Sequence, residues 1–204
     1  AGRRGARDRR RRRVTVRLPI VVDDHVSLVL ADDSVAEAYR DLVLGDLDHL
    51  RPWEELARPG LSLEDVRAYL TPGLTGWAEG TGVPTAIVLD GQVVGALAAR
   101  ITPATARAEV GYWSASSAGG RGVMTRAVGA LVDALFADGV FRVELRTAAD
   151  NGPSRAVAER LGFTLEGTLR QAYPIEGVRH DLCVYALLAT DPPVPPGSVS
   201  RSVG

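Results

Sequence analysis

Hydrophobic and polar positions alternate with two different periods along the chain, and each change of period marks a predicted element. Apolar residues at every second position, as in residues 141–146, are typical of a half-buried strand. Apolar residues at every third or fourth position, as Val35, Ala38 and Leu42, predict the inner face of a helix. The segments with a strand pattern are 25–30, 84–89, 93–101, 106–113, 141–146, 163–169 and 179–188.

The first two predicted helices begin at residues that favour helix N-termini. Asp33 or Ser34 is expected to cap a helix that continues to about residue 44. Ser62 is followed three residues later by Asp65, a variant of the capping box, and predicts the start of the second helix.

Proline and glycine predict where helices are broken or end. Pro72 and Gly73 are expected to interrupt the second helix, which resumes near Trp77. The last two predicted helices are residues 122–136, ended by Asp138-Gly139, and residues 154–161, ended by Gly162.

The order of these elements predicts the fold class. Asp90-Gly91 between two strand patterns is a strong signal for a tight hairpin. The full order is strand, two helices, three strands, helix, strand, helix and two strands. Strands and helices that alternate within one domain predict an α/β protein with a mixed sheet and helices packed on it.

Charge is distributed unevenly over the 204 residues, although the formal net charge is only −1. Residues 1–13 contain eight arginines and one acid, Asp8, so the remaining chain has a formal charge of −8. We expect residues 1–13 to be a disordered arm, residues 14–190 a folded domain and residues 191–204 a flexible tail rich in proline, serine and glycine. An acidic body repels nucleic acid, so we expect any contact with it only through the arm.

Apolar runs and the single cysteine indicate where the protein works. No apolar run reaches the roughly 18–20 residues that a membrane span needs, and no apolar stretch follows the arginines as in a secretory signal. Cys183 has no cysteine to pair with, which fits a reducing cytoplasm. It lies in an apolar run, so we interpret it as a packed core thiol and not as a nucleophile.

A glycine-rich segment, Gly119-Gly120-Arg121-Gly122-Val123, lies between a predicted strand and a predicted helix. Glycine backbone can approach a phosphate closely, and a helix N-terminus adds unpaired N–H groups. Taken alone, a flexible turn explains the segment equally well. It lacks the full spacing of dinucleotide-binding loops and a P-loop lysine.

Several motifs together resemble one family. In chain order they are Glu109-Val110-Gly111-Tyr112-Trp113, Gly120 to Ala127, Asn151-x-x-Ser154, Leu161-Gly162-Phe163-x-x-Glu166-Gly167-x-Leu169-Arg170, Asp181 and Tyr185. Their order and gaps resemble the RimJ/RimL-type branch of the GNAT acetyltransferases. The resemblance is densest over residues 106–188 and extends more loosely back to about residue 26. It implies one GNAT-like domain with a mostly antiparallel sheet, helices on both faces and splayed central strands.

The resemblance implies acetyl-CoA as the acyl donor and no metal. The family holds the pyrophosphate on a loop that corresponds to residues 119–124, although Gly119 stands where Arg or Gln is usual and Met124 where Gly or Ala is usual. Pantetheine is expected between the strands at 106–113 and 141–147. The expected donor contacts are Val110, Tyr112, Gly119, Gly120, Arg121, Gly122, Val123, Met124, Thr125, Asn151 and Ser154.

Catalysis needs a group that takes a proton from the amine and one that returns a proton to the CoA thiolate. Glu109 is our candidate base or ammonium anchor, with a solvated strand-edge glutamate as the alternative. Ser154 is the candidate proton donor, with a helix N-cap as the alternative. Asn151 is expected to fix the pantetheine amides or only to form a turn. Tyr173 stands near where some RimL-type enzymes have a glutamate.

An aromatic wall beside carboxylates is expected to bind the amine. Its members are Trp53, Glu54 and Tyr173, and acids at positions 46, 48 and 55 lie near Trp53 in sequence. The resemblance to the RimJ/RimL group implies that the acceptor is a protein N-terminal α-amine, whereas the carboxylates alone slightly favour a small cation. The alternatives are a small cationic amine, such as an aminoglycoside or an amino-acid-like metabolite, and a non-catalytic CoA-binding or RNA-associated protein. The oligomeric state is left open, a homodimer included.

The remaining polar candidates favour structural roles. His25, His49 and His180 are too far apart in sequence for a metal-ligand pattern, so no metal site is expected. Asp150 is expected to form a cap or a turn. Asp181 is expected to support strand pairing.

Overall fold

A computed structural model of the protein describes residues 15–175 and 177–192. Within these ranges eight strands form one sheet, in the spatial order β1-β2-β3-β4-β5-β6-β8-β7. The strands are β1 (Ile20–Val21), β2 (Val26–Leu30), β3 (Gly82–Leu89), β4 (Gln92–Thr102), β5 (Arg107–Ser114), β6 (Arg142–Ala148), β7 (Thr164–Ile175) and β8 (Val178–Leu188).

Five α-helices accompany this sheet in the described residues. They are α1 (Ala36–Gly45), α2 (Leu47–Leu50), α3 (Leu63–Glu79), α4 (Val123–Ala137) and α5 (Gly152–Arg160), with 3-10 turns at Asp33–Val35, Pro103–Thr105 and Ser116–Ala118. The predicted order of elements and the fold class are confirmed, while β1 and α2 were not predicted. None of these helices has the length and apolar character needed to cross a membrane.

The sheet has one seam at which its strand direction changes. Neighbouring described strands are antiparallel except β5 and β6, which run parallel. Their registered pairs begin at Arg107–Arg142 and end at Val110–Leu145. Beyond Val110, β5 continues to Ser114 and pairs only with β4. The central strands therefore splay after four residue pairs, and one edge of β5 lacks a strand partner.

Two hydrophobic clusters lie on opposite faces of the sheet. The alternation along β4 assigns Leu97 to one cluster and Ala96 to the other. Full burial of an aliphatic side chain contributes about 1.5–3 kcal/mol, so both clusters stabilise the fold substantially. The larger cluster includes Val128, Leu131 and Leu135 of α4 and Val157 of α5. The smaller cluster includes Tyr39 and Val43 of α1, Val66 and Leu70 of α3, and Trp113 of β5.

Helix α3 continues through Pro72, so the predicted interruption is wrong. Proline costs a helical hydrogen bond, but tertiary packing overrides this local cost. Val66 and Leu70 are buried on one side of the helix. Gly73 lets the helix approach β3 so closely that an added Cβ would lie 2.9 Å from the Cβ of Pro84.

Side-chain caps begin both α3 and the segment before α1. Asp65 N donates to Ser62 Oγ at 3.1 Å, and Ser62 N donates to Asp65 Oδ2 at 2.9 Å, which confirms the capping box. The cap before α1 is Asp32, which accepts from Ser34 N at 3.0 Å. Asp33 and Ser34 were predicted for this role, but both lie inside the short 3-10 turn that precedes α1.

The β3–β4 hairpin has the predicted turn. Asp90 and Gly91 both have positive φ, at 50° and 79°, as a tight two-residue turn requires. Leu89 and Gln92 are the last registered pair before the turn.

Strand β7 is longer than predicted because it continues across a bulge. The prediction ended it at residue 169, whereas the strand reaches Ile175. Gln171 has a φ of 51°, and its N–H donates to Asp181 Oδ1 at 2.8 Å. Asp181 therefore supports the pairing of β7 with β8, as predicted.

Cys183 of β8 is 2% exposed and belongs to the larger hydrophobic cluster. Its sulfur lies 3.7 Å from Thr168 Oγ1. The interpretation as a packed core thiol is confirmed.

Candidate active site

A pocket of about 770 Å³ extends from beneath α3 into the cleft where β5 and β6 part. Its lining includes residues from β3 to β6, the start of α5 and β7. Because these elements are distant in sequence, only the folded sheet brings their side chains together. The predicted site residues in its lining are Trp53, Glu54, Glu109, Val110, Tyr112, Asn151, Ser154 and Tyr173.

Glu109 of β5 faces this pocket, with its side chain 23% exposed. Arg100 Nη2 donates to Glu109 Oε1 at 2.8 Å, and Arg146 Nε lies 3.7 Å from Glu109 Oε2. Both arginines also line the pocket. The carboxylate is thus held between β4 and β6, and both of its oxygens keep lone pairs that can accept a further hydrogen bond.

A buried carboxylate, Glu144, lies at the centre of an ion network across the seam. Its side chain is 5% exposed and accepts from Arg107 at 3.2 Å, Arg142 at 2.9 Å and Arg146 at 2.9 Å. Burial alone would raise the pKa of Glu144, but hydrogen bonds from Arg142 and Arg146 hold it below its ordinary value. Arg142 also pairs with Glu166 of β7. The network therefore joins β5, β6 and β7.

This network was not predicted from the sequence, although one signal was present. Arg142, Glu144 and Arg146 occupy every second position of a strand, so they share one face of the sheet. A charged face on a central strand is unusual enough to suggest paired charges.

Asn151, and not Ser154, is the N-cap of α5. Asn151 Oδ1 accepts from Ser154 N at 3.1 Å, so the N-cap interpretation of Ser154 is wrong. Ser154 lies inside the first turn, and its Oγ is 2.9 Å from the hydroxyl oxygen of Tyr112. Burial raises the pKa of Tyr112 to about 12, so this hydroxyl keeps its proton at neutral pH. Two hydroxyl groups therefore share a hydrogen bond in the pocket lining.

The glycine-rich loop has two residues in the left-handed region of φ, which favours glycine. Gly120 and Gly122 have φ values of 70° and 67°, and Gly122 is the N-cap of α4 without a side-chain cap hydrogen bond. The first N–H groups of α4 are thus not capped by this residue. Gly119 also fits closely, since an added Cβ would lie 2.9 Å from the carbonyl oxygen of Ser116.

The loop lies outside the pocket lining, so it forms a separate part of the predicted site. Arg121 is half exposed and pairs with Asp90 Oδ2 at 3.4 Å, while Val123 is buried in the larger cluster. The predicted loop residues that the pocket does not include are Gly119, Gly120, Arg121, Gly122, Val123, Met124 and Thr125.

Four residues that line the pocket, Trp53, Glu54, Tyr69 and Tyr173, form the acceptor wall, which we name after its predicted role. Burial raises the pKa of Glu54 above 4.5. Burial, and next the charge of Glu54, raise the pKa of Tyr69 to about 12. Burial, then the charges of Glu54 and Glu55, raise the pKa of Tyr173. The shared influence of Glu54 indicates that both tyrosines lie near its carboxylate.

Tyr69 was missed as a site residue because its position fitted the apolar face of α3. The structure ties it to the sheet, since Trp113 Nε1 donates to the Tyr69 hydroxyl at 3.1 Å. Trp113 also packs edge-on against Tyr39, with ring centroids 5.2 Å apart. No local sequence signal reveals this contact between α3 and β5.

Two acids near Trp53 in sequence are not part of the acceptor wall. Neither Asp46 nor Asp48 lines the pocket. Asp46 Oδ2 accepts from Ser116 N at 2.6 Å, and Asp46 Oδ1 accepts from Ser116 Oγ at 3.0 Å. The expectation that these two acids lie beside Trp53 was wrong, because the chain turns between α1 and α2.

Two histidines pair with single carboxylates. His25 Nδ1 lies 2.6 Å from Asp90 Oδ1, and His180 Nδ1 lies 2.8 Å from Asp150 Oδ2. Across residues 15–175 and 177–192, no group of three or more His, Cys, Asp or Glu side chains is placed to hold a metal ion.

The fold and this arrangement define the class of the protein. A sheet that splays between β5 and β6, with a glycine-rich loop after β5 that leads into a helix, is the layout that the resemblance to acetyltransferases predicted. Residues 18–164 match the family model described as Acetyltransferase (GNAT) domain. The chain therefore belongs to the GNAT acetyltransferase family.

Known relatives agree with this assignment. YdaF of Bacillus subtilis (strain 168) is 30% identical over 170 residues, which cover 82% of this chain and 93% of that protein. A solved structure of RimL, a ribosomal L7/L12 alpha-N-protein acetyltransferase in complex with coenzyme A, matches with a TM-score of 0.80 and 30% identity. The match covers 83% of this chain and 97% of RimL.

Mycobacterium smegmatis RimJ, solved in complex with a CoA disulfide, matches with a TM-score of 0.73 and 30% identity. This match covers 80% of this chain and 82% of RimJ. The expected relation to the RimJ/RimL group is confirmed.

Other predictions concern residues that the structure does not describe. Residues 1–13 lie outside the described ranges, as do residues 193–204. Contact with nucleic acid through the arginines of residues 1–13 stays a prediction, as do the domain boundaries and a homodimer.

Proposed function

We propose that the protein transfers an acetyl group from acetyl-CoA to the N-terminal α-amine of a protein. The observation that carries this proposal is the continuous pocket that joins the splayed strands to the acceptor wall. One end lies beside the unpartnered edge of β5, and the other contains Glu54 among aromatic side chains. RimL, which matches over most of this chain, is described as acting on a protein α-amine.

The donor fits the described residues on two counts. Past Val110, the edge of β5 that faces away from β4 has no strand partner, so its backbone groups can pair with the pantetheine amides. An added Cβ at Gly111 would meet no atom within 4 Å, which indicates open space beside this edge. The backbone of Gly120 and Gly122 at the start of α4 is suited to the pyrophosphate.

The chemistry needs few protein groups. The amine nitrogen attacks the thioester carbonyl carbon, the C–S bond breaks, and CoA leaves as a thiolate. Glu109 takes the ammonium proton, directly or through a water molecule. The hydroxyl pair of Tyr112 and Ser154, which lines the cleft, passes a proton to the thiolate and is reprotonated from solvent, while Glu109 releases its proton to solvent.

The acceptor wall supplies both an aromatic face and a negative charge. Trp53 is 36% exposed, so part of its ring is open to a ligand. An ammonium group gains from an aromatic face and from a half-buried carboxylate such as Glu54. A peptide N-terminus can insert its amine here while its following residues leave the pocket.

A small cationic amine is a second candidate, and the burial of Glu54 is the observation that favours it. A carboxylate with a raised pKa gains most from a cation that enters the pocket completely. Peptide and small amine therefore compete for the same wall.

A panel of acceptors tests these alternatives. Initial rates of thiol release with acetyl-CoA are measured for a neutral peptide, a peptide acidic after its first residue, an aminoglycoside and a polyamine. We expect the neutral peptide to react fastest and the same peptide with a blocked N-terminus not to react. Turnover of the small amines alone would reassign the acceptor, and no thiol release with any amine would indicate a non-catalytic CoA-binding protein.

A further inference from the structure

Asp46 connects two parts of the molecule that the proposed function assigns to different substrates. Its carboxylate accepts two hydrogen bonds from Ser116, one from the backbone N–H at 2.6 Å and one from the hydroxyl at 3.0 Å. Ser116 begins the 3-10 turn that leads directly into the glycine-rich loop. Ala115, the N-cap of that turn, makes no side-chain cap hydrogen bond. Asp46, 70 residues earlier in the chain, therefore caps the turn from outside.

The backbone of Asp46 begins the segment that carries the acceptor wall. Its carbonyl oxygen accepts from His49 N at 3.2 Å and Leu50 N at 3.1 Å, which starts α2. The carbonyl oxygen of Leu50 in turn accepts from Trp53 N and Glu54 N, both at 2.9 Å. An unbroken series of hydrogen bonds thus runs from the turn before the glycine-rich loop to Glu54.

We propose that Asp46 is a positioning residue that couples binding of the CoA donor to binding of the amine acceptor. The inference rests on the proposed function, since it assumes a donor on the glycine-rich loop and an acceptor at Trp53 and Glu54. Hydrogen bonds to a charged acceptor are stronger than neutral ones, so the contact between Asp46 and Ser116 resists separation. A ligand that orders one segment then lowers the cost of ordering the other.

The first test compares two acids of the same segment. Asp48 is exposed on α2, two residues from Asp46, and does not line the pocket. Calorimetric titration with CoA should show roughly tenfold weaker binding to Asp46→Ala, because two charge-assisted hydrogen bonds to the loop are lost. Asp48→Ala removes the same charge and should bind CoA like the wild type. Equal CoA affinity of folded Asp46→Ala and wild type would overturn the inference.

The second test measures the coupling itself. CoA affinity is determined with and without a saturating short peptide that has a free N-terminal serine. We expect the peptide to tighten CoA binding to the wild type and to leave CoA binding to Asp46→Ala unchanged. A variant that binds CoA more weakly but keeps the wild-type peptide effect would show a local structural role and refute the coupling.

Ser116→Ala separates the effect on the loop from an effect on folding. It removes the hydroxyl bond and keeps the backbone bond, so it should weaken CoA binding less than Asp46→Ala. The double variant should bind CoA no more weakly than Asp46→Ala, because both changes remove the same contact. Additive losses of CoA affinity in the double variant would contradict the inference. If Asp46→Ala does not fold, Ser116→Ala replaces it in both tests.

Failure of this inference is distinguishable from failure of the proposed function. An unchanged CoA affinity of Asp46→Ala rejects the coupling and leaves acetyl transfer intact. Absence of thiol release from the wild type rejects the proposed reaction and leaves the CoA titrations interpretable.

Discussion

The glycine-rich loop and the acceptor wall present different parts of the chain to a ligand. The loop at Gly120 and Gly122 offers backbone groups, and its conformation depends on positive φ values. The acceptor wall offers side chains from three separate parts of the chain, the segment after α2, α3 and β7. A backbone site recognises a phosphate that many proteins bind, whereas a side-chain site can change its ligand by single substitutions.

This difference explains what similarity to known proteins can and cannot transfer. The motifs that revealed the family lie mainly between residues 106 and 188 and include the loop. Three members of the acceptor wall, Trp53, Glu54 and Tyr69, precede those motifs; they lie within the matched residues 18–164, but in a part where no motif indicates a role. The donor therefore follows from the family, while the acceptor must be inferred from this chain's own side chains.

Glu109→Gln should have the largest effect, since Glu109 is the proposed base that takes the proton of the amine. We expect kcat to fall about 10²–10⁴-fold, the usual range for a lost general base. CoA affinity should be unchanged, because the carboxylate is paired with Arg100 and Arg146 and not with the loop. Single-turnover kinetics and CoA titration check both expectations. Glu37→Gln, at an exposed position of α1 outside the pocket lining, is a control of the same type. Wild-type turnover in Glu109→Gln would assign the proton transfer elsewhere.

Gly122→Val should weaken the binding of CoA and leave the binding of the amine acceptor unchanged. Its φ of 67° is unfavourable for a β-branched residue, and a side chain here would crowd a phosphate. CoA binding should weaken by roughly tenfold or more in calorimetry, since the loop loses its backbone conformation. Gly167 of exposed β7 has no close neighbours, so Gly167→Val is the matched control. Unchanged CoA affinity in a folded Gly122→Val protein would remove the loop from the donor site.

Glu54→Gln should weaken the binding of the amine acceptor alone. We expect KM for a cationic acceptor to rise about fivefold, which corresponds to a partly exposed ion pair of about 1 kcal/mol. CoA affinity should not change. Glu55→Gln, at an exposed neighbouring position, should have little effect. Equal acceptor KM values for wild type and Glu54→Gln would remove Glu54 from the acceptor wall.

The raised pKa of Glu54 also predicts how its effects depend on pH. As pH falls towards 4.5 the wild-type carboxylate gains a proton, so binding of a cationic acceptor weakens while Glu54→Gln stays constant. Folding stability changes in the opposite sense. A group whose folded pKa is raised binds more protons in the folded state, so its stabilisation is lost as pH rises from 4.5. Denaturant unfolding at several pH values should show this loss in the wild type and not in Glu54→Gln.

Ser62→Ala should have the smallest effect and should change only the free energy of unfolding. Loss of an N-cap costs about 1 kcal/mol, and Ser62 does not line the pocket.

Hydrogen bonds from Ser62 and an ion pair with Arg58 lower the pKa of Asp65 to about 2. The stabilisation from Asp65 is therefore present above pH 3.8 and is lost as pH falls towards 2. Unfolding at neutral pH and at low pH should show a smaller acid sensitivity in Ser62→Ala, and a changed acceptor KM would contradict its purely structural role.

Local signals predicted most of the fold, because caps and turns depend on neighbouring residues. The capping box at Ser62 and the turn at Asp90-Gly91 are of this kind. The continuity of α3 through Pro72 was not predictable, since it depends on packing against β3. The length of β7 was missed because Gln171 bulges and is held by Asp181 from the neighbouring strand.

The site was predictable only where a family motif or a single residue type indicates chemistry. Glu109, Tyr112 and Ser154 were identified in advance, and the pocket brings them together. Arg100 and Arg146 were missed because their role depends on strand register, which places both beside Glu109. Their contacts cross β4, β5 and β6, and no local pattern encodes such a crossing.

The short parallel contact between β5 and β6 has a mechanical consequence. Only four residue pairs join the two halves of the described sheet along this seam, Arg107 to Val110 with Arg142 to Leu145. A small rotation of one half about the seam displaces the far ends of the strands much more than the seam itself. The width of the cleft therefore depends on this short contact and on the larger hydrophobic cluster, which contains residues from both halves of the sheet. A substitution that loosens strand pairing here would open the cleft while both of its walls keep their internal structure.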